Sequence, residues 1–260
     1  MNDTVKIIFE KSWNSQESDK IIIDITLKYN NKILGIILAR GASKSIKNKN
    51  ITELCGKPLI AWTINSALKS KSLTDVILST DSKKIAKVGK KFGVDVPFLR
   101  PSKFAKDSTP SVDAIEHAIK WLKKKEKNYK FVVLLEPTSP LRDSKDIDNA
   151  IKKIIKFKGQ SLVSVSRAES LNPAYLFKKT KSEKIKPMKV YKKKNIRRQD
   201  LEPIYFCEGT IYISRVSTLL RKKTFYHNNT LMYVVPKWKS LEIDDSLDLI
   251  LAKAIIQNKQ

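Results

Sequence analysis

Two acidic residues near the C-terminal end, Glu242 and Asp244 in Ser240-Leu241-Glu242-Ile243-Asp244-Asp245, are the first candidates for chemistry. In an extended chain alternate residues share a face, so these two carboxylates stand side by side. Like charges at that spacing repel, and a hard divalent cation shared with a phosphate would relieve them. The competing reading is that Asp244 or Asp245 caps a following helix while Glu242 is solvated. The only histidines are His117 and His227, and the cysteines, Cys55 and Cys207, are far apart. Any metal is therefore held by oxygen, which favours Mg²⁺ or Mn²⁺. The two cysteines read as free thiols, buried or partly buried.

A cationic partner for such a pair lies far upstream. Residues 39–50 read Ala39-Arg40-Gly41-Ala42-Ser43-Lys44-Ser45-Ile46-Lys47-Asn48-Lys49-Asn50. Small residues let backbone N–H groups approach an anion, Arg40, Lys44 and Lys49 add positive charge, and Ser43 adds a donor. These are the requirements of a triphosphate. The stretch lacks the Gly-Lys-Ser/Thr end of a Walker loop, and its competing reading is a polar surface loop in a lysine-rich chain. A third segment, Leu135-Glu136-Pro137-Thr138-Ser139-Pro140-Leu141-Arg142, has two prolines that stiffen the backbone around Glu136, Thr138 and Ser139. Its competing reading is a strand-to-helix connection in which Thr138 and Ser139 only cap.

The elements that must position these segments follow from hydrophobic period. Ile33–Leu38 and Phe131–Leu135 are short continuous apolar runs, the mark of strands buried on both faces. Val76–Leu78, Val94–Leu99 and Ser161–Val165 read as further strands. Helices are expected around Ile60, Ile64, Ala67 and Leu68; around Ile85, Val88 and Phe92, closed by Gly93; around Val112, Ile115, Ile119 and Leu122; and around Ile147, Ile151, Ile154 and Ile155. Strands Thr210–Ile213 and Leu231–Val235 come later, then a terminal helix with Leu247, Ile250, Leu251 and Ala254 on its apolar side. Strand–helix alternation at these lengths predicts an α/β fold with a mainly parallel sheet and helices on both faces. In such sheets ligands sit beyond the carboxyl ends of the strands, so the functional residues belong just after Leu38, Leu78 and Leu135.

Composition narrows the classes. The 260 residues carry a net charge of +26, yet arginine occupies only eight positions and lysine is scattered throughout. Arginine is the residue of planar phosphate and base recognition, so this charge reads as bias of the whole chain, attractive to a small anion, and no nucleic acid is expected as partner. No run of about 18 apolar residues exists, so no membrane partner is expected. Met1–Lys11 lacks the features of a secretory signal, and a cytoplasmic protein is expected. Residues 1–31 stand apart as an N-terminal extension, with β-prone segments at Val5–Phe9 and Ile21–Leu27 and no motif.

Taken together, residues 39–50, 135–142 and 242–249 resemble, in order and spacing, the motifs of the acylneuraminate cytidylyltransferase (CMP-sialic acid synthetase) family. Ser79-Thr80-Asp81 and Leu99-Arg100-Pro101 also match, and the resemblance runs from about Ile33 to Gln257. It implies a Rossmann-like nucleotidyltransferase domain over 32–260, with a dimerisation arm near 166–207 and a homodimer. It implies transfer of CMP from CTP to the anomeric hydroxyl of a nonulosonic acid, with release of pyrophosphate. Arg40, Lys44, Lys49 and Asn50 would hold the CTP phosphates and ribose, with Arg40, Lys49 and Asp244 acting in catalysis. Arg100 and Ser111 would contact the nucleoside. Glu136, Arg198 and Gln199 would face the sugar, the last two across the dimer interface. Glu242 and Asp244 would bind Mg²⁺ or Mn²⁺.

The departures from the family pattern bear on the acceptor. Ser45 replaces a glycine of the loop, which would strain the backbone if φ there were positive. Lys47 stands where proline is common, and the metal pair is Glu-Asp in place of Asp-Asp. Glu136 replaces a glutamine that contacts sugar, and Phe206 and Glu208 stand where arginine and asparagine occur in some members. These changes point to a related nonulosonate, of legionaminic type, as acceptor. Two rivals stay open: a cytidylyltransferase for an eight-carbon acidic sugar, whose phosphate loop differs, and a catalytically idle nucleotide- or nucleic-acid-binding protein on the same scaffold.

Overall fold

A computed structural model describes residues 32–43, 45–168, 172–188, 197, 199 and 201–258. The segments Val5–Phe9 and Ile21–Leu27, and the site candidates Lys44 and Arg198, lie outside them. The centre is a six-stranded sheet in the order β10-β6-β9-β5-β1-β4. Its strands are β1 (Ile33–Leu38), β4 (Asp75–Ser79), β5 (Phe131–Leu134), β6 (Ser161–Arg167), β9 (Tyr205–Arg215) and β10 (Thr230–Val234). β1 runs parallel to both β4 and β5, and β10 parallel to β6. β9 alone is antiparallel, wedged between β5 and β6. Two ribbons stand outside the sheet: β2 (Glu53–Leu54) with β3 (Lys57–Pro58), and β7 (Phe177–Lys179) with β8 (Ile185–Pro187). The latter lies in the expected arm.

Strand period divides the core. Ile33, Ile37, Phe131 and Val133 face one side, where α1 (Leu59–Leu68), α2 (Lys83–Lys91) and α4 (Ser144–Lys156) bury Ile64, Ile85 and Ile151. Leu34, Ile36, Val132 and Leu134 face the other, against α3 (Ser111–Lys123) and α5 (Val216–Lys222). Each fully buried side chain of this size contributes about 1.5–3 kcal/mol relative to exposure. Local signals set the helix ends. Ser82 accepts from Ile85 N to start α2, and Gly93, at φ +86°, follows its last turn. Asp143 and Asp146 form a capping box on α4, and Asp245 and Asp248 form one on α6 (Ser246–Gln257).

Four expectations are corrected. Val94–Leu99 is not a strand: among the described residues it makes only isolated bridges, Asp95 with Ile77 and Leu99 with Thr80. Pro97 removes a ladder donor in its middle. The outermost apolar stripe of α6 faces away from the core, with Leu247 60% and Ile250 64% exposed. Its buried face is Ala252 and Ile256, packed with Leu54, Leu59, Leu141 and Ile243. Leu68 at the end of α1 is likewise exposed. Cys207 is an exposed free thiol, and only Cys55 is partly buried.

Candidate active site

The carboxyl ends of β1 and β5 open into a cleft of about 440 Å³. One wall is the loop after β1, with Arg40, Ser43, Ser45, Lys49 and Asn50. The facing wall is residues 100–111, which run from Arg100 to Ser111 at the start of α3. Glu136, Pro137 and Thr138 form the floor and Asp244 the far rim. Six of the sequence candidates, Arg40, Lys49, Asn50, Arg100, Ser111 and Glu136, thus share one cavity with Asp244.

Each is held by its neighbours. The cationic loop turns through Asn48, at φ 57°, a left-handed position that asparagine tolerates. Ser45 is not among the described residues with positive φ, so the glycine replaced there costs no backbone strain. Asn50 is buried and donates to Arg40 O at 3.0 Å, folding the loop back on itself. Asp81, in the turn after β4, accepts from Gly41 N at 2.9 Å and lies 3.9 Å from Arg100 Nη2. One carboxylate thereby ties the phosphate loop to the arginine that the resemblance assigns to the nucleoside. Burial lowers the Arg100 pKa, with Asp81 opposing it. Arg40 is ion-paired with Asp107 of the facing wall.

The acidic segment meets the cationic loop directly. Lys49 Nζ lies 2.9 Å from Ile243 O and 3.3 Å from Asp244 Oδ1. Asp245, not Asp244, caps α6, which leaves the Asp244 side chain 80% exposed on the rim. Ile243 N donates to Thr138 O at 2.8 Å, joining this segment to the loop after β5. Lys239, itself buried, anchors it further through Asp143 at 2.7 Å and Asp146 at 2.5 Å.

Glu242 points inward, where Gly209 N donates to it. Gly209 sits in an irregularity of β9. Val163 pairs with Tyr212 and Val165 with Cys207, so Glu208–Ile211 loop out opposite Ser164 alone. The Ser164 hydroxyl fills the gap, bonding Glu208 O, Ile211 O and Ile211 N. A Cβ on Gly209 would lie 2.8 Å from Glu136 Oε2 and 2.9 Å from Glu242 Oε2, so glycine is what lets backbone approach both carboxylates. Buried Arg142 completes the floor, donating to Thr210 O at 2.5 Å, Thr63 Oγ1 at 2.7 Å and Glu136 O at 3.3 Å. Burial pulls the Arg142 guanidinium down to about 10. Burial, then the Glu242 carboxylate, pushes the Glu136 carboxyl up to about 7. Burial raises Glu242 and Glu208 as well, Glu242 also through Glu208 and Asp244.

Among the described residues no group of three or more histidine, cysteine or acidic side chains could hold a metal by itself. Glu242 and Asp244 nevertheless fit the way Mg²⁺ is bound, through one or two carboxylates completed by phosphate oxygens and water. Asp244 is among the charges that raise the Glu242 pKa, and a cation shared by the two carboxylates would relieve that repulsion. Gln199 is exposed and takes no part in the cleft of this chain. The sequence reading assigned no role to Asp81, Asp107, Arg142 or Gly209. Only Asp81 and Arg142 had a signal, since both lie inside the quoted motifs.

No described helix is long and apolar enough to cross a membrane. In comparison with known proteins, the N-acylneuraminate cytidylyltransferase of Escherichia coli is 35% identical over 236 residues, 88% of this chain and 53% of that protein. This chain therefore spans about half the length of that relative. The CMP-N,N'-diacetyllegionaminic acid synthase of Legionella pneumophila is 33% identical over 236 residues, 88% of this chain and 98% of that protein. A pseudaminic acid cytidylyltransferase of Campylobacter jejuni is 31% identical over 225 residues, 86% of this chain and 96% of that protein. The solved structure of a CMP:2-keto-3-deoxy-manno-octonic acid synthetase with CTP superposes with a TM-score of 0.67 at 14% identity, over 88% of this chain and 100% of that one, a likeness of fold alone. Residues 34–257 match the family described as Cytidylyltransferase; that span reaches from β1 to the last residue of α6, and the chain belongs to this family.

Proposed function

We propose that the cleft transfers CMP from CTP to the anomeric hydroxyl of a nonulosonic acid and releases pyrophosphate. One observation carries this reading: the cationic loop and the acidic segment meet in a single cleft, with Lys49 Nζ 3.3 Å from Asp244 Oδ1. The sugar oxygen attacks the α-phosphorus in line, a new O–P bond forms, the bond to the β-phosphate oxygen breaks, and the hydroxyl proton leaves to solvent. Little covalent chemistry falls to the protein, and its task is positioning and charge neutralisation. Arg40, Lys44 and Lys49 hold the phosphates and take up charge on the leaving pyrophosphate, and Asn50 braces their loop. Arg100 and Ser111 orient the nucleoside from the facing wall. Glu242 and Asp244 would hold Mg²⁺ or Mn²⁺, which when bound polarises the α-phosphate and acidifies the hydroxyl.

The acceptor is a diacetamido nonulosonate of legionaminic type in preference to N-acetylneuraminate. Glu136, Phe206 and Glu208 support this, because they stand where members of the resembled family carry glutamine and, in some, arginine and asparagine. Arg198 pairs with the sugar carboxylate. Gln199, exposed and away from its own cleft, serves the cleft of a partner copy in a homodimer, with residues 166–207 as the arm. The supply of CTP places the reaction in the cytoplasm. Incubation with CTP, Mg²⁺ and a panel of nonulosonates, read as pyrophosphate release, tests both levels. Release with none of them rejects the activity; a clear preference for N-acetylneuraminate rejects the acceptor.

A further inference from the structure

We propose that Asp107 acts as an internal stand-in for phosphate on Arg40, closing the mouth of the cleft between turnovers and setting how tightly a nucleoside triphosphate binds. The inference rests on the reading of the cleft as a nucleotide site. Arg40 belongs to the loop after β1, Asp107 to the facing wall, and their ion pair joins the two walls. Their side chains are 38% and 42% exposed, whereas Arg100 and Asn50 lie buried further in. The pair is thus the first thing an entering anion meets.

The segment that carries Asp107 is built to move as a unit. Pro101 and Pro110 frame it, and internal turns hold its shape, with Thr109 Oγ1 donating to Lys103 O at 3.0 Å and Thr109 N to Lys106 O at 3.1 Å. Most of it is exposed, and its apolar foot is Phe104, whose ring lies 5.1 Å from that of His117 on α3. A guanidinium offers the same planar donors to carboxylate and phosphate. Entry of a triphosphate therefore exchanges one anion for another on Arg40, and leaves Asp107 beside like charge, which drives residues 102–109 away from the phosphates. Departure of pyrophosphate reverses the exchange, and the Asp107 carboxylate recaptures Arg40. Because the pair is half exposed, it competes without blocking: exposed ion pairs are worth little.

Calorimetric titration of the full chain with CTP in EDTA tests this in four proteins: unaltered, Asp107→Asn, Arg40→Gln and the double variant. Asp107→Asn is expected to tighten CTP about fivefold, and to change nothing when Arg40 is already glutamine. Asp107→Ser, which removes shape as well as charge, is expected to follow the same pattern. Unchanged or weaker binding in Asp107→Asn overturns the proposal, as does equal tightening with and without Arg40, which would make Asp107 a merely repulsive charge. CTP binding by the unaltered chain separates this from the functional reading: no binding rejects both, whereas binding that Asp107→Asn leaves untouched rejects the stand-in alone.

Discussion

The two sides of the cleft are built on opposite plans. The cationic wall is a loop of long side chains, with Arg40 half-exposed and paired to Asp107, and Lys49, mostly covered, held by Ile243 O and Asp244. The acidic floor is short and buried, with Glu136, Gly209 and Glu242 packed against one another and stitched down by Arg142 and Thr138. The first plan suits charge that must release a product; the second suits groups that must not shift while a bond forms. The cationic side therefore tolerates substitution without loss of fold and pays in rate, while the floor is sensitive to single atoms.

Four experiments break or sharpen that contrast. Asp244→Ala removes the exposed member of the acidic pair: pyrophosphate release is expected to fall below detection while the melting temperature stays unchanged, because the side chain carries no packing. Wild-type-like release would remove the metal assignment. Arg40→Ala is expected to lower kcat about a hundredfold, since charge on the leaving group grows in the transition state; an effect confined to KM, by steady-state kinetics, would contradict that. Gly209→Ala places a methyl group between Glu136 and Glu242 and is expected to cut turnover about tenfold by displacing them, with circular dichroism unchanged.

The smallest effect is on pH-dependent stability. Glu136 has a folded-state pKa raised to about 7 from 4.5, so the metal-free native protein holds a proton that the unfolded chain has released. That contribution is fully present below pH 4.5 and is lost as pH rises through about 7. Glu136→Gln removes it, so the variant is expected to lose less stability than the unaltered chain between pH 5 and 8 in urea titrations. A rigid site would give a difference of about 3 kcal/mol, and relaxation of the neighbouring carboxylates reduces it to the order of 1 kcal/mol. Parallel curves would show that the floor is wetter than its packing implies.

Much of this was legible in the chain itself. The continuous apolar runs at 33–38 and 131–135 located the central strands, and the rule that ligands gather beyond strand ends placed Arg40 and Glu136 in one cleft. What escaped was non-local. β9 has the composition of any strand, and nothing in its period says that it enters antiparallel or swells opposite Ser164. Val94–Leu99 has strand-like residues, yet Pro97 leaves it with bridges only. The apolar stripe of α6 was real, but which stripe faces the core depends on where Leu54 and Leu141 lie, and those come from distant parts of the chain. Asp107 carried no motif because its partner is 67 positions away in the sequence.

The swelling of β9 has a consequence for how this scaffold changes its taste in substrates. Pairing with β6 resumes on either side of Glu208–Ile211, at Tyr212 and at Cys207, with the register shifted, and Ile211 stays in the core, so Glu208–Thr210 form a short cassette that this ladder leaves unpaired. Evolution, or a protein engineer, can exchange its contents to remodel the chamber beside Glu242 while the surrounding ladder stays intact, provided that residue 209 remains a glycine and residue 164 keeps its hydroxyl.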